Sequence, residues 1–290
     1  MASLVATIHV RPGLSARLWT FARRNPTIVL GGALLTAMAA IALVAPMIAG
    51  DPRLMTPTNR LRTPSAEHWF GTDNLGRDVF SRSVYGARIS LVVGLSVAIV
   101  SIIAGLAVGL AAGYYRRLDG FVMRIMDGMM AIPAILLAIA LVSLNRASIW
   151  IVIVAIAIPE VPRVVRLVRS VVLTTREQPF IEAAIGGGSR NLKIILRHIL
   201  PSTIAPLIVQ ATYITASAIL IEAALSFLGA GVPPEIPTWG NMIASSRLFL
   251  ASAPWTIFFP GAALALVILA VNLMGDGLRD RLDPRLARRM

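Results

Sequence analysis

Between Arg88 and Arg116 the chain reads ISLVVGLSVAIVSIIAGLAVGLAAGYY (residues 89–115), 27 residues without a charge. A helix needs about 20 apolar residues to cross the hydrocarbon core of a bilayer, so this run is long enough to span. Uncharged runs of 26, 24 and 28 residues also lie between Arg24 and Asp51, Arg197 and Glu222, and Arg247 and Asp276. The stretch from Asp127 to Arg146 encloses 18, just short of a span. That from Arg146 to Glu160 encloses only 13. It continues apolar through Val161, Val164 and Val165, so a helix there must carry Glu160 near one end. The pattern predicts an all-α integral membrane protein with six transmembrane helices, the fourth being the weakest.

Composition agrees. Of the 290 residues 57% are hydrophobic and 14% charged, with a mean hydropathy of +0.77; soluble domains average about 25% charged. The net charge is +13, and 26 of the 27 basic residues are Arg. Such a balance often marks a nucleic-acid binder, but long charge-free runs argue against one. With six spans the two ends share a side. Placing them inside puts 19 basic residues in inner segments and 8 outside, as the positive-inside rule requires. The expectation is therefore cytoplasmic N- and C-termini and no nucleic-acid partner. Cysteine is absent, which removes disulfides and thiolate metal sites. His9, His68 and His198 are scattered over three segments, so no metal site is expected.

The chain divides accordingly. Residues 1–26 form a basic cytoplasmic segment, in which Leu14, Leu18 and Phe21 interleave with Arg17 and Arg24 as in a short interfacial helix. The first transmembrane helix covers 27–49, too long for the apolar core of a signal peptide. An extracytoplasmic loop follows at 50–88, then a five-helix core at 89–278 and a cytoplasmic tail at 279–290. A second outer loop, about 229–254, carries Pro233, Pro234 and Pro237, which disfavour regular helix.

The inner loop at about 176–201 reads REQPFIEAAIGGGSRNLKIILRHILP. Pro179 suits the first turn of a helix. Glu182 lies near that helix's positive end, and Ala183 and Ala184 give it a small face. Gly186, Gly187 and Gly188 then break it. Leu192, Ile195 and Ile199 resume helical spacing, and Pro201 closes the loop against the next span. A short helix of this kind is shaped to dock in another protein's groove; a solvated connector is the plainer alternative.

This segment resembles the EAA loop of ABC importer permeases. HWFGTDNLGRDVFSR (His68–Arg82), YGARISL (Tyr85–Leu91), SFLGAGVPP (Ser226–Pro234), PTWGNM (Pro237–Met242) and NLMGDGLRDRLDPR (Asn272–Arg285) narrow the match. They resemble the dipeptide/oligopeptide/nickel branch, and within it the second, C-type permease subunit, over roughly residues 15–285. Two departures stand out. Gly187, after Gly186, stands where the family usually has a larger apolar residue before the glycine of the loop, and His198 stands where the wider superfamily often has Ile.

The resemblance implies a type I ABC importer permease fold in a bacterial plasma membrane. It implies a solute of di- or oligopeptides, with nickel or another small solute as the same-family alternative. A stand-alone secondary transporter or channel is the alternative of another class; it predicts an internal repeat that the sequence does not display. Implied partners are a homologous second permease, two ATP-binding subunits, an extracytoplasmic substrate-binding protein and the lipid bilayer. The chain has no G-x-x-x-x-G-K-[ST], and its single lysine, Lys193, lacks that glycine context. ATP and Mg therefore belong to the partner ATPases, and the chain itself is not an enzyme. The resemblance assigns ATPase coupling to Glu182, Ala183, Ala184, Gly188, Leu200 and Pro201.

Other residues carry open alternatives. Glu222, inside the fifth span, is either a pathway or gate group or part of a structural pair. Asp73, Arg77 and Asp78, with Trp239, either help receive the binding protein or build a self-contained seal at the outer mouth. Asp127 is expected to pair with Arg124 three residues before it, and Asn272 to hydrogen-bond a neighbouring helix. Gly105, Gly109 and Gly113 form a small-residue row for close helix approach, either to the second permease or within the chain.

Overall fold

A computed structural model describes residues 14–145 and 148–282; Arg11, Arg146, and the tail from Asp283 to Met290 with its three arginines lie outside the described residues. The described residues are helical with no strand, and one isolated antiparallel bridge joins Thr72 and Asp78. A short helix α1 (Leu14–Arg24), at the position expected for the interfacial segment, leads into α2 (Pro26–Ile48). Pro26 occupies the first turn of α2, where its missing N–H costs nothing. The outer loop then delivers the chain to α3 (Val79–Tyr114), capped by the Asp78 carboxylate, which accepts from Ser81 N–H at 2.7 Å.

The next two helices are α4 (Arg116–Met130) and α5 (Ala134–Ser143), bent by 85° at the break between them. Pro133 accounts for the break, because it cannot donate backward and restricts the residue before it. The third uncharged run is thus not a straight span. Helix α4 is held to the following helix, α6 (Ile149–Arg176), by ion pairs. Arg169 meets Asp119 at 2.5 and 2.7 Å, and Arg166 meets Asp127 at 2.5 Å. Asp127 therefore pairs with Arg166 on another helix, not with Arg124.

Helix α6 runs unbroken past Glu160, so much of what the sequence divides into a weak span and an inner loop is one helix. After α6 come α7 (Pro179–Gly186), α8 (Asn191–Ile194) and α9 (Leu200–Phe227). A π-helical turn, Ile195–Ile199, joins α8 to α9, with Leu200 N–H bonded to the Ile195 carbonyl. Pro201 does not end the inner loop as expected. The extra residue in the π turn accommodates its missing donor, and the helix continues. The outer loop after α9 holds α10 (Trp239–Ser246), and α11 (Trp255–Leu282) ends the described chain.

Four helical stretches are long and apolar enough to cross a membrane: α2, α3, α8 through α9, and α11. The bent α4–α5 pair makes a fifth if counted as one span. Helix α6 is 28 residues long but carries Glu160, Arg163, Arg166 and Arg169.

Helix α3 is the centre of the packing. Gly105, Gly109 and Gly113 lie against Val164, Val168 and Val172 of α6, and a Cβ on Gly109 or Gly113 would sit 2.7 Å from a valine Cβ. The small-residue row is therefore used within the chain. Further up α3, Gly94 meets Ile219 of α9 and Ser101 Oγ donates to the Ala157 carbonyl at 3.2 Å. One buried cluster joins α3, α5, α6 and α9; a second joins α2, α3, α9 and α11 around Trp239.

Candidate functional site

The inner end presents α7. Gln178 precedes it as N-cap and Pro179 opens it. Ile181 is fully buried, as are Ile194 and Ile199 beyond it, so one edge of the loop is anchored in the main core. The opposite edge is bare: Phe180 is 49% exposed and Ile185 54%, with Leu192 and Leu196 also open. Glu182 and Ala183 are exposed and Ala184 half-buried. Among the described residues Glu182 has no ion-pair partner.

Helix α7 ends as the glycine run requires. Gly188 has φ +75°, a conformation that costs other residues, and Ser189 N–H returns to the Ala184 carbonyl at 3.0 Å. Gly186 is the last helical residue and Gly187 the cap, so the extra glycine falls at the helix end rather than inside it. Leu200 and Pro201 sit in the first turn of α9, away from this exposed edge. Arg176 Nη1 donates to the Tyr114 carbonyl at 3.2 Å and Tyr114 Oη to Asn191 Oδ1 at 3.0 Å, which tie the loop to the end of α3.

The outer loop is built differently. Asp73 Oδ1 accepts from the N–H groups of Leu75 and Arg77 at 2.9 Å each, and Oδ2 from Arg77 Nε at 2.6 Å. Arg82 Nε lies 3.7 Å from the same oxygen, while its Nη1 donates to the Pro52 carbonyl at 3.1 Å. Arg82 precedes the apolar run of α3; burial and the neighbouring Arg77 pull its pKa down to about 10, against the opposing pull of Asp73. Asp78 divides its oxygens between the α3 cap and His68 Nδ1, 3.1 Å away.

Aromatic side chains fasten this loop to the helices. Trp239 is fully buried and its Nε1 donates to the Ser83 carbonyl at 3.0 Å. Trp255 Nε1 donates to the Thr72 carbonyl at 3.3 Å, and Phe70 stacks on Phe259 with centroids 3.9 Å apart. Asp73, Arg77 and Trp239 thus offer no open side-chain surface to a receptor. Burial turns them inward, where they set the shape of the cap.

Glu222 is also fully buried. Ser226 Oγ donates to its Oε1 at 2.8 Å, and Thr238 of the outer loop is a second polar neighbour. Enclosed in the chain's own packing, Glu222 faces no open pathway in this conformation. Glu222 is the acid expected inside a span, yet Glu160 is equally buried, with Arg163 Nη1 donating to both its oxygens at 3.0 and 3.2 Å. The spacing of Glu160, Arg163, Pro159 and Pro162 was the available signal. Asn272 makes no hydrogen bond among the described residues; it borders a cavity of about 550 Å³ between α6, α9 and α11. No group of three or more His, Asp or Glu side chains is placed to hold a metal ion among the described residues.

An all-helical chain with several helices long and apolar enough to cross a membrane, and with an exposed short helix in the loop between two of its long helices, has the build of a membrane subunit. The family model for the binding-protein-dependent transport system inner membrane component matches residues 101–288, and the chain belongs to that family. It is 60% identical over 268 residues to "Probable peptide ABC transporter permease protein y4tQ" of Sinorhizobium fredii, covering 92% of each chain. It is 49% identical to the dipeptide transport system permease protein DppC of Alkalihalophilus pseudofirmus, covering 91% of this chain and 88% of that one. Among solved structures, a chain of the inward-facing MetNI methionine ABC transporter matches with a TM-score of 0.57 at 19% identity, over 70% of this chain and 96% of that chain. That likeness shows the shared permease fold. The chain is a multi-pass inner-membrane permease of the ABC transporter class.

Proposed function

We propose that this chain is one of two homologous permease subunits of an ATP-driven importer of di- and oligopeptides. The names of its relatives support the peptide solute. In this reading α2, α3, the α4–α5 pair, α6, α9 and α11 are six spans with both termini cytoplasmic. Segments 1–26 and 279–290 lie inside, 27–49 is the first span, 50–88 is outside, and 89–278 is the transport core. An extracytoplasmic binding protein delivers the solute over the cap shaped by Asp73, Arg77, Asp78 and Trp239. Two ATPase subunits bind ATP and Mg.

The observation that carries this reading is α7, anchored on Ile181 and bare on its other edge. Its exposed apolar side chains and unpaired Glu182 suit a cleft on an ATPase. Ala183 and Ala184 permit close seating, Gly188 ends the helix, and Leu200–Pro201 begin the span that movement of α7 would tilt. Closure of the ATPases on ATP then shifts α7, and the attached α6 and α9 reorient the pathway.

Reversing the charge tests this role. Glu182→Lys should lower ATP-driven uptake at least tenfold, with loss of either ATPase assembly or coupling, while the chain remains inserted. Wild-type uptake and coupling in that variant would refute the docking role. Topology has its own check: in this cysteine-free chain, Ser65→Cys should react with an impermeant thiol reagent from outside, and Ser189→Cys only after permeabilisation. The reverse pattern would invert the orientation.

A further inference from the structure

Glu160 lies eleven residues into α6, about 16 Å from its outer end at 1.5 Å per residue. That is roughly half of a 30 Å hydrocarbon core. Ser217, which meets Glu160 from α9, is ten residues from the outer end of that helix. Two helices thus place the pair at the same depth.

The two partners differ in exposure: the Glu160 side chain is 1% exposed, whereas that of Arg163 is 40% exposed. Only Nη1 of the guanidinium is engaged; its Nε and Nη2 donors have no partner among the described residues. An arginine within a span is costly to place in lipid, and such groups face a bundle interior or water. A sealed protein interface would need to satisfy the remaining donors, since Glu160 already balances the charge.

The neighbouring cavity indicates which. Leu167, one turn inward from Arg163 on the same face of α6, lines the space of about 550 Å³ that also meets Gln210, Tyr213, Asn272, Asp276 and Arg279. Most of its lining is apolar and Arg163 is not part of it; the space reaches α6 at Leu167, one turn inward of the guanidinium, with these polar groups of α9 and α11 beside it. The volume falls within the range of small-molecule sites. Pro159 and Pro162 cannot donate to the carbonyls of Ala155 and Ile158, so α6 has fewer internal hydrogen bonds at this level.

We infer that Arg163 faces the aqueous path of the solute and meets its carboxylate in the inner half of the membrane, held in place by Glu160. Guanidinium and carboxylate pair through parallel N–H donors, and the free donors of Arg163 supply them. Glu160 is a positioning residue, too buried to touch the solute itself. The inference rests on the reading of the chain as a peptide importer, because a peptide brings a carboxylate.

The test uses the complete complex in proteoliposomes with its binding protein. Arg163→Cys, made together with Glu160→Gln so that no buried carboxylate is stranded, should be modified by a charged, membrane-impermeant thiol reagent; an unreactive cysteine would overturn the inference. Arg163→Gln alone leaves Glu160 buried without its partner and is open to misassembly, so the decisive variant is Glu160→Gln/Arg163→Gln, which removes both charges. A merely structural pair predicts that this variant regains wild-type dipeptide uptake, and that outcome also overturns the inference. The expected result is uptake reduced at least tenfold, with assembly intact and receptor-stimulated ATP hydrolysis within twofold of wild type. Arg163→Lys, which keeps the cation, should recover at least a third of the uptake. If the wild-type complex imports no peptide, the peptide reading fails and the carboxylate contact with it. The cysteine result still decides whether Arg163 faces water.

Discussion

The two ends of the molecule solve opposite problems. At the outer end the buried charges and aromatics find partners within the same chain: Asp73 takes Arg77, Arg82 is satisfied between Asp73 and Pro52, and the indole N–H groups of Trp239 and Trp255 reach the Ser83 and Thr72 carbonyls, while Trp69 stays exposed. At the inner end, α7 leaves Phe180, Ile185 and Glu182 bare. Exposed apolar groups beside an unpaired charge contribute little to the fold of the isolated chain. The buried frame of the outer cap is satisfied within the chain although Leu54, Met55 and Trp69 stay exposed on it, whereas the bare edge of α7 has the character of a surface left for a partner. Charged motifs at a transporter's two mouths therefore need not both be contact surfaces.

The contrast breaks most readily at Asp73. Removing it leaves Arg77 and Arg82 buried without their carboxylate, and one-sided loss of a buried ion pair costs about 3–5 kcal/mol. Asp73→Ala should therefore lower the thermal stability of the purified complex sharply. Glu182→Ala, at an exposed position without a partner, should stay within about 0.5 kcal/mol of wild type and affect only assembly or coupling. Thermal unfolding of the two variants side by side decides the matter. Equal stability losses would mean that the inner helix is as much a part of the fold as the outer cap.

Much of this architecture was legible before any coordinates. Charge-free runs located α2, α3, α9 and α11, because a bilayer demands long apolar stretches. Leu14, Leu18 and Phe21 marked α1, and Pro179 with the glycine run bracketed α7. What stayed hidden depended on which helix lies beside which. Gly105, Gly109 and Gly113 announced a close approach, but only the fold supplies Val164, Val168 and Val172 as its partner. Asp127 had an arginine at a favourable local spacing, yet the 85° bend at Pro133 turns α4 along α6, and Arg166 takes the carboxylate. The apolar pattern places Glu160 near one end of a weak helix, whereas α6 runs on to Arg176. Within α6 the buried carboxylate is paired with Arg163 at i+3. The outer motif showed which residue types were present and left receptor contact and a self-contained seal both open; only the fold shows that Asp73, Arg77 and Trp239 are buried.

A smaller effect sharpens the inner half of the comparison. Gly188 holds φ +75° with nothing within 4 Å of the site of a Cβ, so Gly188→Ala meets no clash and changes only the backbone cost. That cost is about 1–2 kcal/mol for a left-handed residue. Because α7 is bare on one edge, the local end of the helix should absorb it rather than the global fold. The expected outcome is an unchanged melting temperature with about fivefold weaker binding of the ATPase subunits, the equivalent of about 1 kcal/mol. Gly186→Ala is the matched comparison: Gly186 is the last helical residue, also with open space around it, and alanine favours helix by about 1 kcal/mol over glycine. It should bind the ATPases at least as well as wild type. If Gly188→Ala also bound them normally, the left-handed turn would be dispensable to docking, and the bare apolar edge alone would have to account for it.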